Sequence, residues 1–506
     1  MEDLMLWNQP SLMIFFLLSN KNIDTILDLV TKSDLTFINE KRENALLLSL
    51  HYELPQVVHK ILSYKNCGID QIDHLGNNAL ILSLKKNYRD VAKILIKKGL
   101  KNINYVDKYG DSALSCTLRY DFLDIAELLL EFPDINVNHV DKHGDSILLI
   151  LIDNLQEDIG IKIVEKFKIN INYVNHHGFD ALILCIAKRL RRLAIILIEQ
   201  GANTEFVNNT GDTSLIYALN NDFSDISQLI VSRNSDNSLV NKHGDTAFFH
   251  SIIKGDEELA KDIFSKGNSN FELINAENNS SLILALANNL YTLSFLLIKY
   301  GSKEYIKHIN KNYDNALFLS MGKGQWHLVY EIIDKQCYDI NTQNIEGDTT
   351  LFLSINYGVE ELCLKMFDDN EDDVDVDMVN NDGSTLLMCA VICGMKKLAE
   401  RILKKINIHN LNFQNKHFDN ILMICISLQY FELVDIILDF EEIDVNIINK
   451  YGDTPLILLL NFQKFDLVKK ILDNDCMNID HVSDSGLCAR EMLIAHNIFL
   501  EYLEYI

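Results

Sequence analysis

In this sequence the residues with chemistry to offer return at one recurring place. A lysine or histidine followed by a ring residue precedes a glycine position at Lys108-Tyr109, Lys142-His143, His176-His177, Lys242-His243, Lys416-His417 and Lys450-Tyr451. Imidazoles and phenols beside ammonium groups can ligate metals, move protons or grip a partner. Because they recur with a repeat, they read as an edge of the molecule rather than as one centre. Stacked copies would lie about one helix pair apart, too far for shared ligation at about 2 Å. Intervening copies carry Glu277, Asn312, Glu346 and Asp382 instead, acidic or neutral. A Lys-and-ring edge suits an acidic or apolar partner segment. The competing explanation is an ancestral Lys-ring-Gly repeat, copied and not yet diverged.

The other reactive residues form no constellation. Ten cysteines are scattered without a CxxC. Cys389 and Cys393 share one helical face, half a metal site at most, and small buried apolar residues are the better description. Such cysteine usage suits a reducing compartment. Gly322-Lys323-Gly324 lacks the context of a phosphate loop. The acidic run Asp368 to Asp377 fails as an EF-hand, since a loop begun at Asp373 puts Met378 and Ser384 where Gly and Glu are needed. A solvated, lengthened loop is expected there. No catalytic residue, metal or cofactor is expected, and the chain reads as a non-enzyme.

Charge narrows the partners. A net charge of −26 disfavours nucleic acid and anionic membrane, both of which need cationic neutralisation. Met1-Glu2-Asp3 lacks the basic start of a signal peptide. The apolar runs Leu12 to Leu18 and Ile147 to Ile152 are too short to span a bilayer. A soluble intracellular protein is expected, in the cytoplasm, or in the host cytoplasm if the chain is viral.

The elements that must carry the recurring edge follow from a period. Val106-Asp-Lys-Tyr-Gly-Asp-Ser-Ala-Leu114 returns as Val140 to Leu148, Val240 to Phe248 and Ile448 to Leu456. Its glycine position falls at 42, 76, 110, 144, 178, 211, 244, 278, 313, 347, 383, 418, 452 and 486, spaced 33 to 36 apart. Glycine there supplies the positive φ of a tight turn. Two residues on stands a short polar residue in thirteen of fourteen copies, from Asn44 to Thr454, with Cys488 as the exception. That is a helix N-cap. Small residues follow within the helix, among them Ser49, Ser83, Cys185, Ala218, Ala390 and Cys425, and let a second helix approach. The second helix is expected over stretches such as Asp90 to Lys98 and Phe431 to Asp439, where apolar residues keep helical spacing. An extended stretch with Asn or Asp, such as Ile103 to Asp107, leads to the next turn. One such module cannot cover its own apolar face, so modules must stack.

Gly452-Asp453-Thr454-Pro455-Leu456 resembles the Asp-x-x-Gly-x-Thr-Pro-Leu-His-x-Ala signature of ankyrin repeats, and Gly201-Ala202-Asn203 resembles their Gly-Ala-Asp loop. The resemblance runs from about residue 9 to the end. It implies an all-α repeat solenoid of about 14–15 stacked helix-turn-helix modules joined by β-hairpin loops. It divides the chain into a capping module at 1–38, an array of about 13 repeats at 39–481 and a truncated closing repeat at 482–506. The signature histidine is replaced throughout, so the bracing it gives neighbouring turns must come from elsewhere. Arg42, Asn278, Tyr313 and Phe418 replace the glycine; asparagine tolerates the turn, and the other three should strain or reshape it. The diction and the repeat number are similar to those of the large ankyrin families of giant DNA viruses that infect amoebae.

Function then follows as expectation. The resemblance implies a non-catalytic scaffold that binds partner proteins along the hairpin tips and first helices. The alternative is an adaptor delivering host proteins to machinery such as a ubiquitin ligase, although no F-box-like segment follows Ala495. The apolar run Leu12 to Leu18 offers a surface for self-association.

Overall fold

In the computed structural model the described residues are 23–31, 34–233, 236–267, 269–473 and 477–495. The chain forms two compact bodies, Met1–Asn270 and Phe271–Ile506, each a stack of two-helix repeats. The division falls inside a regular 34-residue spacing, where no change of composition announces it. The capping module and self-association surface expected before residue 23 lie outside the described residues, as does the tail after Ala495.

Each repeat begins at its cap. All thirteen short polar caps accept a hydrogen bond from the backbone N–H three residues on, from Asn44 and Leu47 to Thr454 and Ile457. Each such bond stabilises its helix by about 1 kcal/mol. The first helices run seven residues, as in Ala79–Lys85 and Ile147–Asp153. Both of their faces are covered, which explains runs such as Ile-Leu-Leu-Ile-Leu-Ile that show no amphipathic pattern. The small residues Ser49, Ser83, Cys185, Ala218, Ala390 and Cys425 are fully buried. The serines return their hydroxyls to the helix, Ser83 to Leu80 O at 2.7 Å.

A tight turn then reverses the chain. The second helices, observed at Arg89–Lys98 and Phe431–Ile437, match the expected stretches within two residues. They bury one stripe only, as Leu398, Ala399, Ile402 and Leu403 do in Lys396–Leu403. Burying a leucine fully stabilises by about 1.5–3 kcal/mol, so the stripe is what glues successive second helices together. No helix among the described residues is long and apolar enough to cross a membrane.

The expected β-hairpin is reduced to a single antiparallel bridge. Val106 pairs with Ser112, Val140 with Ser146 and Val379 with Thr385, and the described residues form only isolated bridges of this kind. Side chains inside the turn take up the N–H groups that a longer ladder would use. At the substituted glycine positions the turn is strained and not reshaped: Arg42, Asn278, Tyr313 and Phe418 all hold φ between 62° and 64°.

Candidate functional site

The tip is built around the Asn or Asp three residues before the glycine position. Asp107 Oδ1 accepts from the N–H groups of Tyr109 at 2.8 Å and Asp111 at 2.9 Å. Asp141, Asn241, Asn344 and Asn449 repeat the pattern. One side chain therefore fixes the loop that presents each Lys-ring pair. Glycine is needed for a second reason at Gly76, where a Cβ would stand 2.7 Å from the backbone nitrogen of Lys108 in the next tip.

Successive tips thus come closer than the helix-pair spacing suggested. The N–H of Lys108 donates to Leu75 O at 3.2 Å, Lys416 to Asp382 O at 2.8 Å and Lys450 to His417 O at 3.1 Å. A second contact comes from the residue five before the next glycine position. Gln71, His139, Tyr173, His308 and His481 each bond the carbonyl at the preceding glycine position, at 2.7–3.1 Å. Each ring nitrogen must donate here, because a carbonyl only accepts. These residues supply the bracing that the missing signature histidine would have given.

A third joint links the residue after one glycine position to the Asx of the next tip. It is amide to carboxylate at Asn175–Asp145 (2.9 Å), Asn241–Asp212 (3.2 Å) and Asn380–Asp348 (2.9 Å). Burial raises Asp348 above its ordinary value, and the Asn380 bond acts against that rise. At Asp107 and Asp141 a cation from the end of a first helix closes the joint. Lys85 pairs with Asp107 and lies 3.5 Å from Asp111, and Arg119 pairs with Asp141 and with Asp111 at 3.1 Å. Burial pulls the Lys85 ammonium down, but the Asp107 hydrogen bond and charge outweigh it, so its pKa is raised.

All twelve expected tip residues are exposed. Lys108, Tyr109, Lys142, His143, His176, His177, Lys242 and His243 belong to the first body, and Lys416, His417, Lys450 and Tyr451 to the second. Several already have partners. Lys85 and Lys142 lie over the Tyr109 ring at 5.1 and 5.8 Å, Lys450 over Tyr451 at 4.8 Å, and Lys416 pairs with Asp382 at 2.8 Å. His143 and His177 come together on the rim of a cavity of about 600 Å³. Its floor is Leu149 and Ile150 of helix Ile147–Asp153 with Leu184 and Ala187 of helix Ala181–Ala187, and Phe179 and Tyr217 add rings to the wall.

The remaining candidates have structural places. Cys67, Cys116, Cys185, Cys337, Cys363, Cys389 and Cys425 are buried free thiols, and burial pushes Cys116, Cys363, Cys389 and Cys425 up to about 12. Such thiols are not nucleophiles at neutral pH. Among the described residues no group of three or more His, Cys, Asp or Glu is placed to hold a metal. Gly324, with φ 67°, is the turn between two helices, and Lys323 Nζ donates to Ala287 O at 2.8 Å. The acidic stretch is partly structural. Asp368 pairs with Arg401, and Asp377 Oδ1 accepts from Asn407 N–H at 3.1 Å.

Sequence reasoning missed the bracing residues, the closing cations and the cavity. The bracing residues had a signal, a polar side chain five before the glycine position in seven repeats, of which five make the bond. The cavity had none, because its lining comes from residues as far apart as Arg119 and Tyr217.

The profile of the family described as ankyrin repeats (3 copies) matches residues 46–141 and 317–412. No curated protein sequence matches the chain. Among 414 matching solved chains is the crystal structure of the ankyrin repeat protein EF0377. It is 24% identical, with a TM-score of 0.32 over 37% of this chain and 95% of that one. Residues 46–141 and 317–412 thus match ankyrin repeats, and among the described residues caps, tips and helix pairs keep the same form beyond those segments.

Proposed function

We propose that this chain is a non-catalytic scaffold whose first body holds partner proteins along its tips and first helices. Ankyrin repeats generally mediate protein–protein interaction, and one observation supports this face as the place for it. The cavity of about 600 Å³ opens between the tips of His143 and His177 and is floored by two first helices. Tips and first helices thus make one face with relief, which a partner side chain can enter.

The test is affinity purification from the native cell with the wild-type chain and with a variant in which Lys108, Tyr109, Lys142, His143, His177 and His243 are all alanine. The expected outcome is a partner recovered by the wild type and lost by the variant, with helicity unchanged by circular dichroism. A partner retained by the variant overturns this reading. Recovery of ubiquitin-ligase subunits would replace the scaffold with the adaptor.

A further inference from the structure

The cavity between the Gly144 and Gly178 tips has a charge state that can be worked out group by group. Two cations line it, and both are spent. Arg119 is held between Asp111 and Asp141, and Lys188 pairs with Asp153 at 2.7 Å. Asp145 is different. Its Oδ1 accepts from Asn175 Nδ2 at 2.9 Å, while Oδ2 has no partner among the described residues. The local set is four carboxylates, Asp111, Asp141, Asp145 and Asp153, against two cations.

Rings supply the second observation. Elsewhere the chain places its own cations over aromatic faces: Arg89 over Phe122 at 4.3 Å, Arg189 over Phe223 at 5.9 Å and Lys464 over Phe431 at 4.2 Å. Phe179 and Tyr217 in the cavity wall carry no such cation among the described residues. A half-buried carboxylate with a free oxygen, next to uncovered rings, is the complement of a cationic side chain.

We propose that this cavity takes the arginine or lysine side chain of a basic partner segment. The proposal rests on the scaffold reading and narrows it. The cationic head meets Asp145, its stem lies on Ile150, Leu184 and Ala187, and the rings flank it. An acidic segment would bring a carboxylate against Asp145 and Asp153. The excess negative charge of the whole chain, −26, also draws basic segments toward it and speeds their encounter.

The experiment is fluorescence anisotropy on the full chain with fluorescein-labelled Gly/Ser decapeptides. They carry arginine, citrulline or glutamate at two central positions. Asp145→Asn keeps the acceptor for Asn175 and removes one charge. Asp466→Asn removes one charge from an exposed site in the second body and controls for non-specific attraction. The arginine peptide should bind the wild type roughly fivefold tighter than the citrulline peptide. Asp145→Asn should erase that preference and Asp466→Asn should keep it. Phe179→Leu, which keeps an apolar wall without the ring, should reduce it by roughly twofold. No preference for arginine, tighter binding of the glutamate peptide, or a preference that survives Asp145→Asn overturns the proposal. Its failure is separable from that of the scaffold: a native partner lost by the tip variant and kept by Asp145→Asn sinks only the cationic pocket.

Discussion

The tips between residues 73 and 145 and those between residues 310 and 453 solve one problem in two ways. Each must seal the seam between neighbouring repeats, where the Asx that shapes one tip faces the residue after the preceding glycine position. The earlier tips use aspartate at Asp107 and Asp141 and close the seam with Lys85 and Arg119. The later tips use asparagine, as at Asn310 and Asn380, and close it with an amide donor. The difference is one of charge balance at a buried place. At Asp111–Asp141 two carboxylates face each other and share a cation, at Asn77–Asp107 a lysine joins an amide oxygen to a carboxylate, and at Asp348–Asn380 an amide closes the seam with no cation. The cation has a consequence for function, because it leaves the earlier region rich in charge beside the cavity that Arg119 helps to line.

The largest expected effect comes from breaking the charged solution. Arg119→Met keeps the stem and leaves Asp111 and Asp141 facing each other, with Asp141's side chain only 2% exposed. Loss of one partner from such a cluster should cost about 2–3 kcal/mol at pH 7, discounted for the partial exposure of the guanidinium. Urea unfolding followed by circular dichroism measures it. A loss below about 0.5 kcal/mol would show that water, not Arg119, balances the two carboxylates.

A buried carboxylate with no cation sharpens the rule. Asp180 caps helix Ala181–Ala187, is 2% exposed, and is raised from 3.8 to about 6 by burial, with three backbone hydrogen bonds opposing the rise. The folded state therefore holds its proton more tightly than the unfolded chain. The associated stability is fully present below pH 3.8 and falls away as pH climbs to about 6. Asn44, Asn78, Asn315 and Asn420 cap equivalent helices without charge. Asp180→Asn should accordingly gain about 2 kcal/mol at pH 7.5 and nothing at pH 3.5. Urea midpoints at the two pH values decide it, and an equal gain at both would locate the effect outside the ionisation.

Converting the later solution into the earlier one is a smaller step. Asn380→Asp puts a second carboxylate against Asp348, whose pKa burial already raises. The pair should cost about 1–2 kcal/mol at pH 7 and less at pH 4.5, where one proton relieves it. Adding Asn356→Lys, at the position Arg119 occupies relative to its own tip, should return about half of the loss. If the double variant is as unstable as the single one, the earlier seam depends on more than its cation.

How much of this was legible depends on how far apart the cooperating residues lie. Caps were legible because Thr454 and Ile457 are three residues apart and residue type decides the bond. The tip turn was legible at Gly110 or Gly452. At Phe418 it was legible as a position, but the expectation of strain or reshaping left open that the fold holds the ring at positive φ. The turn between the two helices of each repeat also needs positive φ. Among the described residues it is filled by nine other residues, Glu53, Asn87, Leu155, Arg189 and Gln463 among them, and by glycine only at Gly255, Gly324, Gly358 and Gly394, so type gave no warning. Seam residues such as Arg119 and Asp141 lie 22 apart and meet only once two repeats are in register. The cavity needs four repeats at once, from Arg119 to Tyr217. The tip edge was anticipated as a gripping surface for acidic or apolar segments. The engagement of Lys142, Lys416 and Lys450 within the chain and the free oxygen of Asp145 turn the argument toward basic ones.

The smallest effect tests whether the Tyr313 tip bears on the next one as other tips do. Gly76 cannot carry a side chain because Lys108 lies against it, and a backbone bond from Lys108 to Leu75 seals the contact. At Tyr313 the ring is 57% exposed, and among the described residues no backbone bond joins Ile345 to Asn312 in the same way. The strain of φ 63° at Tyr313 is therefore local. Glycine there would relieve about 1–2 kcal/mol of left-handed strain and give back about 0.4–1 kcal/mol through a freer unfolded chain. Tyr313→Gly should then raise stability by about 0.5 kcal/mol, read as a small upward shift of the urea midpoint with unchanged slope. A loss of about 1 kcal/mol instead would mean that the exposed ring holds the stack together, and the Tyr313 tip would be coupled through its side chain where tips such as Lys416 and Lys450 are coupled through backbone.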